Sequence, residues 1–166
     1  METLDYTQIK NFIEDQPDGT KVYIGCDSER FKYNKVWHAD FALVVVVHIG
    51  GKHGAKIFGE VQRQRDYDKK LSKPRFRLMT EVYLVADLYL KLVDLMPELE
   101  IEVHLDINPN ELHGSSCVVY EAIGYVKGVC NVTPLIKPEA WAASTCADRG
   151  KRLFKKSIVS NLVAAA

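Results

Sequence analysis

The sequence predicts an α/β fold in which a mixed five-stranded sheet, with three antiparallel strands followed by two parallel strands, is flanked by helices. Three observations predict it. The apolar pattern switches between strand and helix spacing in the order β-β-β-α-β-α-β-α. Short turns join the first three strands, which is typical of an antiparallel meander, whereas helices join the later strands, which is typical of parallel crossovers. Finally, two strands, near residues 21–27 and 100–106, each run directly into an aspartate.

The N-terminal half is predicted to contain one short helix and three strands. Apolar residues at helical spacing predict the helix, and the turn at residues 17–19 ends it. The opening strand covers about Lys21–Asp27. The second strand covers about Lys35–Ile49, where alternate residues are apolar and share one face. A glycine-rich loop at residues 50–54 then leads to the third strand, Lys56–Gln62.

The C-terminal half is predicted to alternate helices and strands. A long helix is expected over about Lys73–Met96, with Ser72 as its N-cap. A strand at Glu100–Asp106 and a helix at Ser115–Val129 follow. Thr133–Lys137 is the expected fifth strand, and the chain after it is mostly helical.

The composition indicates a globular protein, which we expect in the cytoplasm. Of 166 residues, 47% are apolar and 27% are charged, so one substantial core can form. We expect a single domain over residues 1–166, with a helical extension at 1–19 and a helix or tail at 150–166. No apolar run approaches the roughly 18 residues of a membrane helix, and the N-terminus lacks the pattern of a signal peptide. The cysteines are too dispersed for a zinc site and too few for a disulfide scaffold, which favours reduced thiols; they are Cys26, Cys117, Cys130 and Cys146.

A net charge of zero conceals two basic segments. Residues 62–77 hold seven basic residues against two acidic ones, and residues 149–156 hold five basic residues and no acidic one. Such segments on an otherwise acidic protein indicate contact with a polyanion at particular places. Solvated surface charge is the alternative explanation.

Three carboxylates are predicted to converge at one edge of the sheet. If the strands that end in Asp27 and Asp106 are parallel neighbours, these two side chains lie side by side on one face. Glu81 lies within the apolar stripe of the long helix, which must face the sheet, and Gly25 would let that helix pack closely. Converging carboxylates repel one another unless they are protonated or bind cations. Oxygen ligands of this kind favour Mg²⁺ or Mn²⁺ over zinc.

Each acid also has a plainer explanation. Asp27 could simply begin a loop, and Glu81 could form a buried salt bridge with an arginine. A fourth acid, Asp148, precedes an arginine on the last predicted helix, where an aspartate is commonly a surface residue.

Taken in order, these elements and acids resemble the ribonuclease H-like superfamily, and more narrowly its YkuK-type branch. The resemblance consists of an aspartate ending the first strand (Asp27), a glutamate on the helix after the third strand (Glu81), an aspartate ending the fourth strand (Asp106) and an aspartate on the C-terminal helix (Asp148). The pieces that resemble the branch are residues 24–28, 104–107, 123–126, 137–144 and 147–149. The segment after Asp106 departs from the branch, because residues 108–116 replace an expected loop of glycine and basic residues.

The resemblance implies a metal-dependent nuclease that hydrolyses phosphodiester bonds in RNA, DNA or a hybrid. Asp27, Glu81, Asp106 and Asp148 would be the catalytic residues and would hold two Mg²⁺ or Mn²⁺ ions. Basic residues would contact the phosphate backbone; they are Arg75, Arg77, Lys137, Arg149, Lys151 and Arg152. Further residues would support the site; they are Ser28, His104 and His113.

Two other functions stay open at this point. A non-catalytic nucleic-acid-binding module with the same fold would bind in a salt-dependent way even without its acids. A scaffold subunit of a larger assembly would form a defined oligomer, with the apolar run at residues 44–47 in an interface. Neither the choice between RNA and DNA nor the oligomeric state follows from the sequence.

Overall fold

The computed structural model describes residues 3–152, which form a four-stranded mixed sheet with helices on both faces. The strands are β1 (Lys21–Tyr33), β2 (Val36–His48), β3 (Ala55–Arg65) and β4 (Ile101–Leu105). Their spatial order is β3-β2-β1-β4. β2 runs antiparallel to both of its neighbours, and β4 runs parallel to β1.

Within the described residues 3–152, four helices cover the sheet. They are α1 (Tyr6–Glu14), α2 (Arg75–Leu95), α3 (Val119–Cys130) and α4 (residues 141–152). Short 3-10 turns lie at Ile49–Gly51 and Gly114–Val118, and α4 contains a π-helical turn at Ala142–Cys146. None of the helices within residues 3–152 combines the length and the apolar character needed to cross a membrane.

The alternation of β2 divides the core between the two faces of the sheet. Phe41, Leu43 and Val45 are buried against α1, α2 and α3, as the predicted spacing requires. The intervening residues, which include Val44 and Val46, are also buried, because they pack against α4 on the opposite face. A central strand that is covered on both faces has no polar side, which explains the apolar run at residues 44–47.

The predicted five-stranded sheet is wrong by one strand. The segment Thr133–Lys137 makes only a single parallel bridge to β4, between His104 and Leu135. The amide of Leu135 donates to Val103 at 2.8 Å, and its carbonyl accepts from Leu105 at 2.8 Å. Proline has no N–H to give to a ladder, and Pro134 precedes the bridge directly, so pairing does not extend into a strand.

The first strand is much longer than predicted, and its C-terminal part extends beyond β4. β1 pairs with β4 only as far as Cys26, which is opposite Leu105, whereas it pairs with β2 as far as Tyr33. Asn34 and Lys35 close the hairpin with positive φ angles of 47° and 64°, which suit the twist of a two-residue turn. We call residues 30–40 and 63–70, which extend beyond β4, the arm.

The start of α2 also differs from the prediction. The helix begins at Arg75, so Ser72 lies outside it and is not its N-cap. Instead, the carboxylate of Asp68 accepts the amides of Phe76 and Arg77 at 2.8 and 2.9 Å. A carboxylate at the amino end of a helix satisfies free N–H groups and complements the helix dipole.

Gly25 allows a close helix contact, but with a different helix from the one predicted. A Cβ atom on Gly25 would lie 2.7 Å from both Cα and N of Ala143 in α4. Val22, Ile24 and Cys26 point to the opposite face, where α2 packs. The expectation that Gly25 admits the helix of Glu81 is therefore wrong, because strand alternation turns Gly25 toward α4.

Candidate carboxylate site

Asp27 and Asp106 lie next to each other where the pairing of β1 with β4 ends. Cys26, opposite Leu105, is the last residue of β1 that pairs with β4, and Asp27 and Asp106 come next in their segments. Asp27 itself lies inside β1, opposite Ala42 of β2. Oδ1 of Asp27 accepts the amide of Ser28 at 2.8 Å. Burial raises the pKa of Asp27 above its usual value, and the charge of Asp106 raises it further. The predicted juxtaposition of these two strand-end aspartates is present in the structure.

Glu81 joins them from α2. Its side chain is 4% exposed, and its Oε1 accepts a very short hydrogen bond from the hydroxyl of Ser28. Burial raises the pKa of Glu81 well above its usual value; the charges of Asp27 and Asp106 also raise it, whereas the bond from Ser28 lowers it. Ser28 thus bonds Asp27 through its amide and Glu81 through its hydroxyl, and Asp106 follows the neighbouring strand, so three carboxylates share this edge of the sheet.

Asp148 lies on α4, on the face of the sheet opposite Glu81, and a lysine connects it to Asp27. Nζ of Lys151 lies 2.6 Å from Oδ2 of Asp27 and 3.5 Å from Oδ1 of Asp148. Burial lowers the pKa of Lys151, but the hydrogen bond and charge of Asp27 outweigh burial, so its pKa is raised overall. Asp148 itself is about half exposed. Its spacing of three residues from Lys151 was visible in the sequence.

The remaining acids have basic partners as well. Nζ of Lys137 lies 2.6 Å from Oδ1 of Asp106, which is buried and receives no hydrogen bond. Arg77 turns inward and donates to the hydroxyl of Ser28 at 3.0 Å, and its charge lowers the pKa of Glu81. Two basic residues predicted to contact phosphate, Lys151 and Lys137, are thus paired with carboxylates, and a third, Arg77, is bonded to Ser28.

In the absence of a metal, lysine side chains compensate the charges of Asp27 and Asp106. Within residues 3–152, no three histidine, cysteine, aspartate or glutamate side chains are arranged so that they could hold a metal ion. The ammonium groups of Lys151 and Lys137 lie at the distances from Asp27 and Asp106 at which they neutralise them. The donor set is nevertheless all oxygen, as Mg²⁺ and Mn²⁺ prefer, although a cation at Oδ1 of Asp106 would have to displace the ammonium group of Lys137.

The other predicted phosphate contacts lie on the surface. Arg75 forms an exposed ion pair with Glu121 on α3. Arg152 is 82% exposed and lies 3.6 Å from Asp148. Arg149 is exposed on α4. An open cavity between α4 and β1 is lined by Asp148, Lys151, Arg152, Ser28 and Glu29.

The two histidines of the prediction have different surroundings. His104 is fully buried between Tyr23 and Trp141; its Nδ1 accepts the amide of Ala142 at 3.0 Å. Its Nε2 lies 2.8 Å from Glu102 and donates to it, since Nδ1 is an acceptor. His113 is exposed in the loop after β4, and no hydrogen bond within residues 3–152 joins its side chain to a carboxylate.

His104→Leu should loosen α4, because the amide of Ala142 would be left without its acceptor. We expect the free energy of unfolding in urea to fall by about 1–3 kcal/mol. His104→Asn is the matched control, because its amide oxygen can replace Nδ1, and it should recover part of the loss. Equal stability of the Leu variant and the wild type would show that this hydrogen bond does not anchor α4.

Comparison with known proteins gives the family of the chain. Residues 5–152 match the protein family described as Ribonuclease H-like. Searches of curated proteins and of solved structures gave no match. The family match covers the whole sheet and all four acids. The chain therefore belongs to the Ribonuclease H-like family.

Proposed function

We propose that the protein hydrolyses phosphodiester bonds in nucleic acid, with Mg²⁺ or Mn²⁺ held by Asp27, Glu81, Asp106 and Asp148. The observation that carries the proposal is the convergence of three carboxylates at one sheet edge, where Ser28 bonds both Asp27 and buried Glu81 and Asp106 follows the parallel strand β4. Mutual repulsion of this kind is costly in a site that only supports the fold. Perturbed acids in a cluster are typical of functional sites.

The residues of the site have separate roles in the proposed reaction. Asp27 and Asp106 present oxygens where the pairing of β1 with β4 ends, and Ser28 orients Glu81 through its hydroxyl. Arg77 in turn holds Ser28. Divalent cations bound there would supply Lewis acidity for activating water and for stabilising the leaving oxygen. Lys151 and Lys137 would have to leave their carboxylates and would then be free to contact phosphate.

The test is a cleavage assay on a panel of labelled substrates. Purified protein would be incubated with single-stranded RNA, single-stranded DNA, an RNA/DNA hybrid and branched DNA, in Mg²⁺, in Mn²⁺ and in EDTA. Asp106→Asn would be prepared in parallel. We expect metal-dependent cleavage of at least one substrate that the variant lacks. Equal cleavage by both proteins would reveal a contaminant, and no cleavage at all would reject the proposal.

A non-catalytic nucleic-acid-binding module is the second candidate. The pairing of Lys151 with Asp27 and of Lys137 with Asp106 favours it, because these acids are neutralised without any metal. A module of this kind should bind oligonucleotides in a salt-dependent way, and Asp27→Asn should leave that binding intact.

Lys151→Gln should strengthen metal binding if its ammonium group takes the place of a cation. Removing the group that neutralises Asp27 leaves an uncompensated, partly buried charge, so we expect Mn²⁺ affinity to rise on the order of tenfold. Titration calorimetry with Mn²⁺ alone measures this without any substrate. Lys127→Gln, which removes an exposed lysine charge from α3, should change the affinity much less. Unchanged affinity of the Lys151 variant would contradict the idea.

A further inference from the structure

The arm presents aromatic rings and positive charge on the face of the sheet that carries Asp27. Phe31 and Tyr33 share the parity of Asp27 on β1, and Phe31 lies four residues further along, a distance of about 13 Å. His38 on β2 stacks on Phe31, with ring centroids 5.7 Å apart and planes inclined by 22°. Tyr33 meets the edge of His38 and is 54% exposed.

Guanidinium groups are held beside these rings. Arg63 lies 4.4 Å from the ring centre of Phe31, and Arg65 lies 5.1 Å from that of Tyr67. Nε and one terminal nitrogen of Arg63 donate to the two carboxylate oxygens of Asp40, at 2.7 and 2.9 Å. This bidentate ion pair fixes the guanidinium in place. Tyr67 is 60% exposed, so an open ring lies next to a cation here as well.

The outward charge of the arm is positive. Residues 30–40 and 63–70 contain seven basic and three acidic residues. The three acids are engaged within the protein: Asp40 binds Arg63, Asp66 pairs with Arg30 at 2.6 Å, and Asp68 accepts amides of α2. Arg30, which also donates to the carbonyl of Asp68 at 2.7 Å, thereby joins the hairpin to the segment after β3.

We propose that the arm binds single-stranded nucleic acid and guides it toward Asp27, with bases stacked on Tyr33 and Tyr67 and phosphates at Lys35 and Arg65. Exposed rings beside fixed cations are the surface that unpaired bases recognise, whatever their sequence. A duplex keeps its bases stacked inside and offers the rings nothing but its backbone. The inference rests on the proposed function in taking nucleic acid as the ligand, but it does not require cleavage.

The test is binding measured by fluorescence anisotropy in EDTA, where cleavage does not contribute. The probes are labelled single strands of DNA and RNA and a DNA duplex, each about 12 nucleotides long, within the usual site size of such surfaces. We expect both single strands to bind more tightly than the duplex. Tyr33→Ala and Tyr67→Ala should each weaken single-strand binding about 5- to 150-fold, the range for losing one stacked base.

Matched variants separate stacking from charge. Tyr120→Ala removes a ring that is 92% exposed on α3, outside the arm, and should bind as the wild type does. Arg65→Gln, and Lys35→Asn, which tolerates the positive φ, should each lower the slope of affinity against salt by about 1. The ring variants should leave that slope unchanged.

Two results would overturn the inference: duplex binding as tight as single-strand binding, or ring variants that bind single strands as the wild type does. Failure of the nuclease proposal would look different. Ring-dependent binding of single strands in EDTA, together with no cleavage in Mn²⁺, would support the arm and reject the nuclease. Cleavage in Mn²⁺, together with ring variants that bind single strands as the wild type does, would support the nuclease and reject the arm.

Discussion

Glu81→Gln is expected to stabilise the metal-free protein and to abolish most of its cleavage. Burial and the charges of Asp27 and Asp106 raise the pKa of Glu81, so ionisation of this side chain works against folding. A neutral amide of the same shape removes that repulsion and should raise the free energy of unfolding by roughly 0.5–2 kcal/mol. Cleavage should fall roughly 10²–10³-fold, the loss typical of one electrostatic group in an active site.

The pH dependence gives this prediction a second readout. Because the folded-state pKa of Glu81 lies above its ordinary value of 4.5, the folded protein binds more protons than the unfolded chain between these two values. The wild type should therefore lose stability as pH rises through that window. In the Gln variant, the fall should be shallower.

Asp94→Asn is the control, because it neutralises an exposed acid on the same helix and should change neither stability nor cleavage appreciably. Denaturant unfolding in EDTA measures the stability of all three proteins. A Gln variant that loses both stability and activity would show that Glu81 mainly supports the fold through Ser28. In that case its repulsion by the two aspartates would not be the dominant effect.

Gly25→Ala is expected to displace α4 from the sheet. The new Cβ would lie 2.7 Å from backbone atoms of Ala143, which cannot give way as a flexible side chain can. Overpacking of this kind costs about 1–3 kcal/mol, and the cost here should reach the upper part of that range because two rigid backbones meet. Asp148 and Lys151 would move with the helix, so Mn²⁺ binding should change as well.

Gly124→Ala is the matched control for this substitution. Gly124 lies inside α3, and its Cβ would meet no atom within 4 Å. Alanine is favoured over glycine in a helix, so this variant should gain about 0.5–1 kcal/mol. Urea unfolding would compare both variants with the wild type. A Gly25 variant as stable as the wild type would show that α4 can shift without cost.

Strand periodicity carried much of the fold prediction. Alternation along β2 identified the face that packs against α1, α2 and α3, and the shared parity of residues 22–27 and 101–106 placed Asp27 beside Asp106. These features follow from local backbone geometry, which the sequence encodes directly. The fifth strand was wrong because a single bridge depends on whether each residue has an N–H to donate, and Pro134 has none.

The partners of the acids could not be predicted in the same way. Charge alone made Arg77, Lys137 and Lys151 appear to be phosphate contacts, whereas their side chains turn toward Ser28, Asp106 and Asp27. That choice depends on contacts between residues as far apart as 27 and 151. The predicted opening strand stops at Asp27 and so does not include the arm. The strand alternation nevertheless continues through Arg30-Phe31-Lys32-Tyr33.

The π-helical turn at Ala142–Cys146 sets the phase of everything that follows it in α4. Such turns act as one extra residue within a regular helix, and each residue corresponds to about 100° of rotation. Shortening this turn by one residue would carry Asp148 and Lys151 around the helix axis, away from Asp27. The length of residues 141–148 is thus as much a determinant of the site as their identity, and a functional relative should tolerate substitutions here far better than a deletion.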